Sequence, residues 1–240
     1  MRRVLTCILV VSLITTGLNA QQLERPFNID VLFGPAFNVG RSGSSELDTS
    51  DLRSTLKTGF NVAVTLTYRF PNSVFGIYGI GSWQRNEVDS KEFRKQFILT
   101  DEVPIAFVIN SGPLITWKFL AGPDIKLPLG TKGKYSIEFS MAGGALEAIA
   151  PNYTIAGYHT NGSEIDYHYG GRMDLVFCYQ LSSGFYYHIN QRCSMVINTS
   201  YTHGTPGYKQ DYSVDANAYH FIYTYPVRAL NIMAGVSYSL

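Results

Sequence analysis

His159, His168, His188, His203 and His220 are the five imidazoles of this chain, and imidazole is the usual general base near neutral pH. His168 lies beside Asp166, and His203 can meet Asp211 across a loop. A carboxylate that orients a histidine is half of a nucleophile-activating arrangement. The other half is missing, because no Ser, Cys or Thr stands at a spacing that fixes it as the nucleophile. His159 and His168 match no metal-ligand spacing. The residues therefore assign no catalytic, metal-binding or cofactor-binding site. Three triplets, beginning at Asn152, Asn161 and Asn198, match the glycosylation acceptor pattern. The last falls inside a strand-like stretch, where an acceptor in a surface loop is not expected.

Two other groups carry more. Asp30, Arg69, Lys118, Asp124, Lys126 and Glu138 are charges set within strongly apolar stretches. Tyr158, Tyr167, Tyr169, Tyr208 and Tyr212 belong to two long polar stretches with further Tyr. Tyrosine gives rigid, amphipathic contact area at low entropic cost. Such stretches suit binding of a glycan, a peptide or a partner protein. The plainer alternative is that they extend strands as paired ribbon.

The apolar stretches must position these groups. In Thr58–Phe70, one parity holds Phe60, Val62, Val64, Leu66, Tyr68 and Phe70. The other parity holds Asn61, Ala63, Thr65, Thr67 and Arg69. Successive side chains of a strand point to opposite faces, so one face is apolar and the other polar. A half-buried strand of a soluble sandwich reads the same way, but soluble strands run about 5–6 residues. A strand that crosses a bilayer needs about 9–11. The pattern recurs at 27–39, 114–127, 135–145, 174–188, 193–203 and 229–240, with a blurred version at 74–86. Glycines at 76, 79 and 81 leave the faces of that segment unassigned. A parity change near Ser183 suggests a bulge.

The connections between these eight segments alternate long, short, long, short, long, short, long. A soluble sandwich has no reason to sort its loops in this way. Outer-membrane barrels do: extracellular loops are long, periplasmic turns short, and the strand number even. The expectation is an all-β chain, a transmembrane antiparallel up-and-down barrel of eight strands in the bacterial outer membrane. The β-like segment 97–110, joined by a strand from 152–169, gives ten strands as the alternative. The composition agrees, with 15% charged residues, 17 Tyr and 14 Phe. The formal net charge of +1 gives no sign of nucleic-acid binding.

Glu102-Val-Pro-Ile-Ala-Phe-Val-Ile-Asn110, Lys118-Phe-Leu-Ala-Gly-Pro123 and the closing Gly-Val-Ser-Tyr-Ser-Leu240 resemble strands of the Bacteroidetes outer-membrane β-barrel family, the PorT-like group of small porin-family barrels. The likeness rests on short motifs spread over most of the chain. It implies a small barrel and a barrel strand at 97–110, and it allows a role in secretion-complex assembly.

Residues 1–20 read as a signal peptide, with Arg2 and Arg3 before an apolar run and Ala20 at the cleavage point. Residues 21–240 are then the barrel domain. Cys178 and Cys193 are the cysteines left to that domain. A hairpin turning near Asn190 sets them about 33 Å apart along the strands, too far for a disulfide. If the polar parity faces the lumen, the three acids and three bases named above pair there, because buried charges persist when paired. An eight-strand interior is only wide enough for side chains to fill. The expected protein is thus a closed, non-enzymatic barrel for envelope structure, adhesion or partner docking, surrounded by outer-membrane lipid. The alternatives are a barrel enzyme acting on lipid A or peptides and a narrow channel.

Overall fold

A computed structural model of the chain describes residues 25–39, 56–91, 106–130, 133–149, 153–158, 164–169, 174–214, 217–224 and 226–240. The expected signal peptide at 1–20 lies outside them. The strands in chain order are β1 (Phe27–Asn38), β2 (Gly59–Arg69), β3 (Phe75–Asn86), β4 (Ala106–Ser111), β5 (Leu114–Leu129), β6 (Tyr135–Ile149) and β7 (Tyr153–Tyr158). They continue with β8 (Glu164–Tyr169), β9 (Val176–His188), β10 (Cys193–Gly204), β11 (Gly207–Val214), β12 (Asn217–Thr224) and β13 (Val227–Ser239).

Eight strands close into one antiparallel barrel in the order β1-β13-β10-β9-β6-β5-β3-β2. They are the eight segments that the alternation picks out. The pairing runs Ile29↔Leu66, Leu66↔Gly79, Gly79↔Ala121, Ala121↔Gly143, Gly143↔Tyr179, Tyr179↔His203 and His203↔Arg228. It returns to β1 through the Val39 N–H, which donates to the Arg228 carbonyl. From Ile29 to Val39 is a stagger of ten positions. For eight strands this stagger corresponds to a tilt of about 41° and a backbone radius of about 8 Å.

The apolar parity points outward. Val31, Phe33, Val64, Leu66, Ile77, Phe119, Met141, Leu181, Ile197 and Val236 are each about half exposed. An outward apolar belt on a closed barrel is stable only against lipid. Trp83 and Trp117 contact each other at one end of the belt. At the other end, Phe27, Tyr68 and Phe70 form one cluster and Tyr135, Phe185 and Tyr187 another. On β5, Trp117 is separated by twelve positions from Leu129, the partner of Tyr135. At this tilt that is about 30 Å along the barrel axis, the thickness of a bilayer core.

Three expectations are corrected. The ten-strand alternative, and the barrel strand at 97–110 implied by the family resemblance, do not hold. Ala106–Ser111 pairs with β7, and β7 with β8, in a separate three-stranded sheet. Residues 97–105 lie outside the described ones; Ala106–Ser111, β7 and β8 are strands, but the barrel's hydrogen bonds close without them. The bulge near Ser183 is absent as well. Pairing runs without a break from Cys178 to His188 against β10, and the alternation persists. The apparent change of parity arises because a large aromatic, Tyr186, points inward. Gly184 leaves the room for it: a Cβ there would lie 2.9 Å from the Tyr186 ring.

Candidate functional site

The interior is stacked in layers. Strand tilt brings Arg69, Lys126, Ser136, His188 and Ser194 to the end with the short turns, which is the periplasmic end. Asp30, Asp124, Glu138 and Tyr186 follow, then Thr65, Tyr78, Ser140 and Asn198. All are interior positions by the period-2 rule, and all but His188 are buried.

The Arg69 guanidinium donates to Asp124 Oδ2 at 2.6 Å and to Glu138 Oε2 at 2.7 Å. It also reaches the Val74 carbonyl at 3.2 Å. Arg69 and both acids are almost fully buried. The Tyr186 hydroxyl donates to Asp30 Oδ2 at 2.8 Å and lies 3.2 Å from Glu138 Oε1. Thr65 gives Asp30 a second donor at 2.9 Å. The Lys126 ammonium sits 3.9 Å over the Tyr186 ring, a cation–π contact. Five of the six interior charges named from the sequence thus converge on one floor around Tyr186. The floor joins β1, β2, β5, β6 and β9 across the lumen.

Lys118 stands apart. Its ammonium meets Thr202 Oγ1 at 2.9 Å and Gln180 Oε1 at 3.5 Å, with no carboxylate partner among the described residues. It is six positions from Asp124 on the same strand, about 20 Å along β5. The interior positions between them on β5 are Leu120 and Gly122. Leu32, Ala63, Ile80, Leu120, Ala142 and Met233 form an apolar layer between the ionic floor and the Lys118 layer.

Among the described residues, His188 has serine partners on both ring nitrogens, Ser136 at 3.0 Å and Ser194 at 2.7 Å. No carboxylate orients it among the described residues, so a hydrolase triad is not assembled there. His203 faces outward beside Tyr179, ring centroids 5.4 Å apart. In the β11–β12 ribbon, Asp211 is in register with His220. The fold brings no three metal-ligating side chains together among the described residues. Cys178 and Cys193 are both free.

The tyrosines singled out from the sequence lie in the paired ribbons on the long-loop side. Tyr158 is opposite Glu164, Tyr167 opposite Ile155 and Tyr169 opposite Tyr153. Tyr208 is opposite Tyr223 and Tyr212 opposite Tyr219. The sequence reading missed Tyr186, the residue around which the floor is built. Its signal was Gly184, two positions earlier on the same face.

No protein-family model matches the chain, and the search of curated proteins found no match. Solved structures do resemble it. The outer membrane protein OprG from Pseudomonas aeruginosa is similar at a TM-score of 0.55 and 12% identity, over 90% of this chain and 96% of that one. A major outer membrane protein from Thermus thermophilus gives 0.47 and 11%, over 90% and 98%. Neisserial surface protein A gives 0.45 and 12%, over 89% and 97%. At these identities the likeness is one of fold, and the first of the three carries it. Taken with the outward apolar belt and the sorted loops, it makes this chain a small eight-stranded β-barrel of the bacterial outer membrane.

Proposed function

We propose that the barrel is a closed, non-enzymatic anchor, and that its work is done by the sheets it holds outside the membrane. The observation that carries this reading is the interior floor. Arg69 is clamped between Asp124 and Glu138, Tyr186 fills the space above Gly184, and an apolar layer lies beyond. A lumen about 8 Å in backbone radius is occupied by such side chains. The barrel then serves envelope structure, adhesion or the docking of a protein partner. The resemblance to the PorT-like group favours a partner in a secretion complex. The paired ribbons β7–β8 and β11–β12, with Tyr158, Tyr167, Tyr169, Tyr208 and Tyr212, are the proposed contact elements.

Planar-bilayer recording of the refolded protein tests closure, and the expected trace shows no steady conductance. A stable nanosiemens level would sink the closed-anchor reading and leave the channel. Crosslinking and pull-down from native membranes tests docking. Recovery of a partner should depend on 153–169 or 207–224, and recovery that ignores both deletions removes the sheets from the proposal. An assay of lipid A structure and surface proteolysis tests the enzyme alternative. Activity that disappears on substituting His168, His203 or Asp211 would overturn the non-enzymatic reading.

A further inference from the structure

Basic charge gathers on one side of the periplasmic rim. The β5–β6 turn reads Gly130-Thr-Lys-Gly-Lys134, and the β9–β10 turn reads Ile189-Asn-Gln-Arg192. Neither contains an acid. β6 and β9 are neighbours in the barrel, so the two turns lie side by side. The His188 N–H donates to the Lys134 carbonyl at 2.8 Å and joins them. The Ser239 N–H donates to the Arg192 carbonyl at 2.8 Å and ties the second turn to β13. Lys134 and Arg192 are exposed, and neither forms an ion pair among the described residues. The β2–β3 turn, Phe70-Pro-Asn-Ser-Val74, carries no charge at all.

An aromatic surface begins directly beside these bases. Tyr135 stacks on Phe185 at 5.8 Å and meets Tyr187 at 5.4 Å. All three point away from the lumen, 44%, 42% and 38% exposed. Phe139 and Leu181 continue the apolar face toward the middle of the membrane. Cations at the water interface, aromatics just inside it and aliphatic surface beyond it match one kind of molecule from head to tail.

We infer that Lys134 and Arg192 hold the headgroup of an anionic phospholipid of the periplasmic leaflet. Its acyl chains lie along Tyr135, Phe185 and Tyr187 onto Phe139 and Leu181. The phosphate is attracted by Lys134 and Arg192. A free anion would use only the charges; a lipid uses the charges and the face below them. A basic side chain near an anionic surface favours it about fivefold. The uncharged β2–β3 side of the rim gives no such preference, so the selectivity is one-sided.

The test uses the full barrel in phosphatidylcholine vesicles doped with spin-labelled phosphatidylglycerol or spin-labelled phosphatidylcholine. At low salt the immobilised fraction should favour phosphatidylglycerol at least about fivefold, and the preference should shrink as salt screens the charges. The double substitution Lys134→Gln and Arg192→Gln should bring the two lipids close to parity while the heat-modifiable gel shift persists. Should the double variant fail to insert, Lys134→Gln and Arg192→Gln are read singly, each lowering the preference severalfold. Equal retention of both lipids by the natural protein overturns the inference, as does a preference that survives the substitutions. Inorganic phosphate must compete no better than chloride at matched ionic strength. Specific competition would mean that the turns bind phosphate rather than lipid.

Discussion

Arg69 is the residue on which the interior floor balances. One guanidinium faces two carboxylates, Asp124 at 2.6 Å and Glu138 at 2.7 Å, and all three side chains are almost fully buried. Removing one partner of a buried ion cluster is far worse than removing all of it, because the remaining charges stay buried and unpaired. Arg69→Met should therefore destabilise the barrel by about 3–5 kcal/mol. Urea unfolding in lipid vesicles, followed by the gel shift, measures it. Adding Asp124→Asn and Glu138→Gln to the same chain should recover most of the loss. An unchanged midpoint for Arg69→Met alone would show that the cluster does not hold the floor. Tyr186→Phe makes a smaller test: it removes the donor to Asp30 and should cost about 1–3 kcal/mol by the same measurement. The sequence made the interior charges legible because each interrupts an apolar alternation. It did not make their partners legible. Parity tells which face a side chain takes, but nothing about who stands across the lumen. Arg69 and Glu138 sit on β2 and β6, which are not neighbours in the sheet. Lys118 shares a face with Asp124 yet meets Thr202 and Gln180 instead.

Strands close into a narrow barrel only where the backbone can bend and approach its neighbour. Gly34-Pro35 on β1 and Gly122-Pro123 on β5 are two such places. A Cβ on Gly122 would stand 2.0 Å from the Met141 carbonyl oxygen, and one on Gly34 would stand 2.1 Å from that of Ile232. These obstacles are backbone atoms, which cannot rotate away. The following prolines supply no N–H, and the β1–β13 and β5–β6 ladders skip these positions. Gly122→Ala should therefore force β5 and β6 apart, and the refolded yield with the heat-modifiable shift should fall steeply. A normal yield would mean that the close approach is dispensable. The lipid face is tested by Val64→Arg, since Val64 is 49% exposed near the middle of the belt. A cation there should cost about 2–4 kcal/mol in vesicle-based unfolding, with little effect for the same change at a rim position. β3 shows where element-level reading stops. Its interior holds Tyr78 and Ile80, while Gly79 and Gly81 face lipid. Hydropathy alternation is inverted there, because large side chains must fill the lumen and glycine is tolerated at the apolar surface.

At the scale of the whole molecule, loop length carried more information than any strand. Eight spans with long and short connections in alternation fit a barrel with both ends on one side, and the structure closes that way. The family resemblance drew 97–110 into the wall because a strand of a loop sheet and a strand of a barrel share local propensity. What separates them is closure. β1 pairs with β13 on one side and β2 on the other, and each barrel strand finds two barrel neighbours without β4, β7, β8, β11 or β12. Wall and outer sheets should therefore be separable. Replacing 151–173 with a short turn leaves β6 and β9 in their register from Tyr135↔Tyr187 to Leu146↔Val176. The shortened protein should still insert, still shift on heating and unfold within about 1 kcal/mol of the natural chain, since loop length enters stability only logarithmically. Loss of the gel shift would mean that the outer sheet is part of the fold. Retention of the shift, together with loss of the partner recovered by crosslinking, would assign anchoring to the barrel and recognition to the sheet above it.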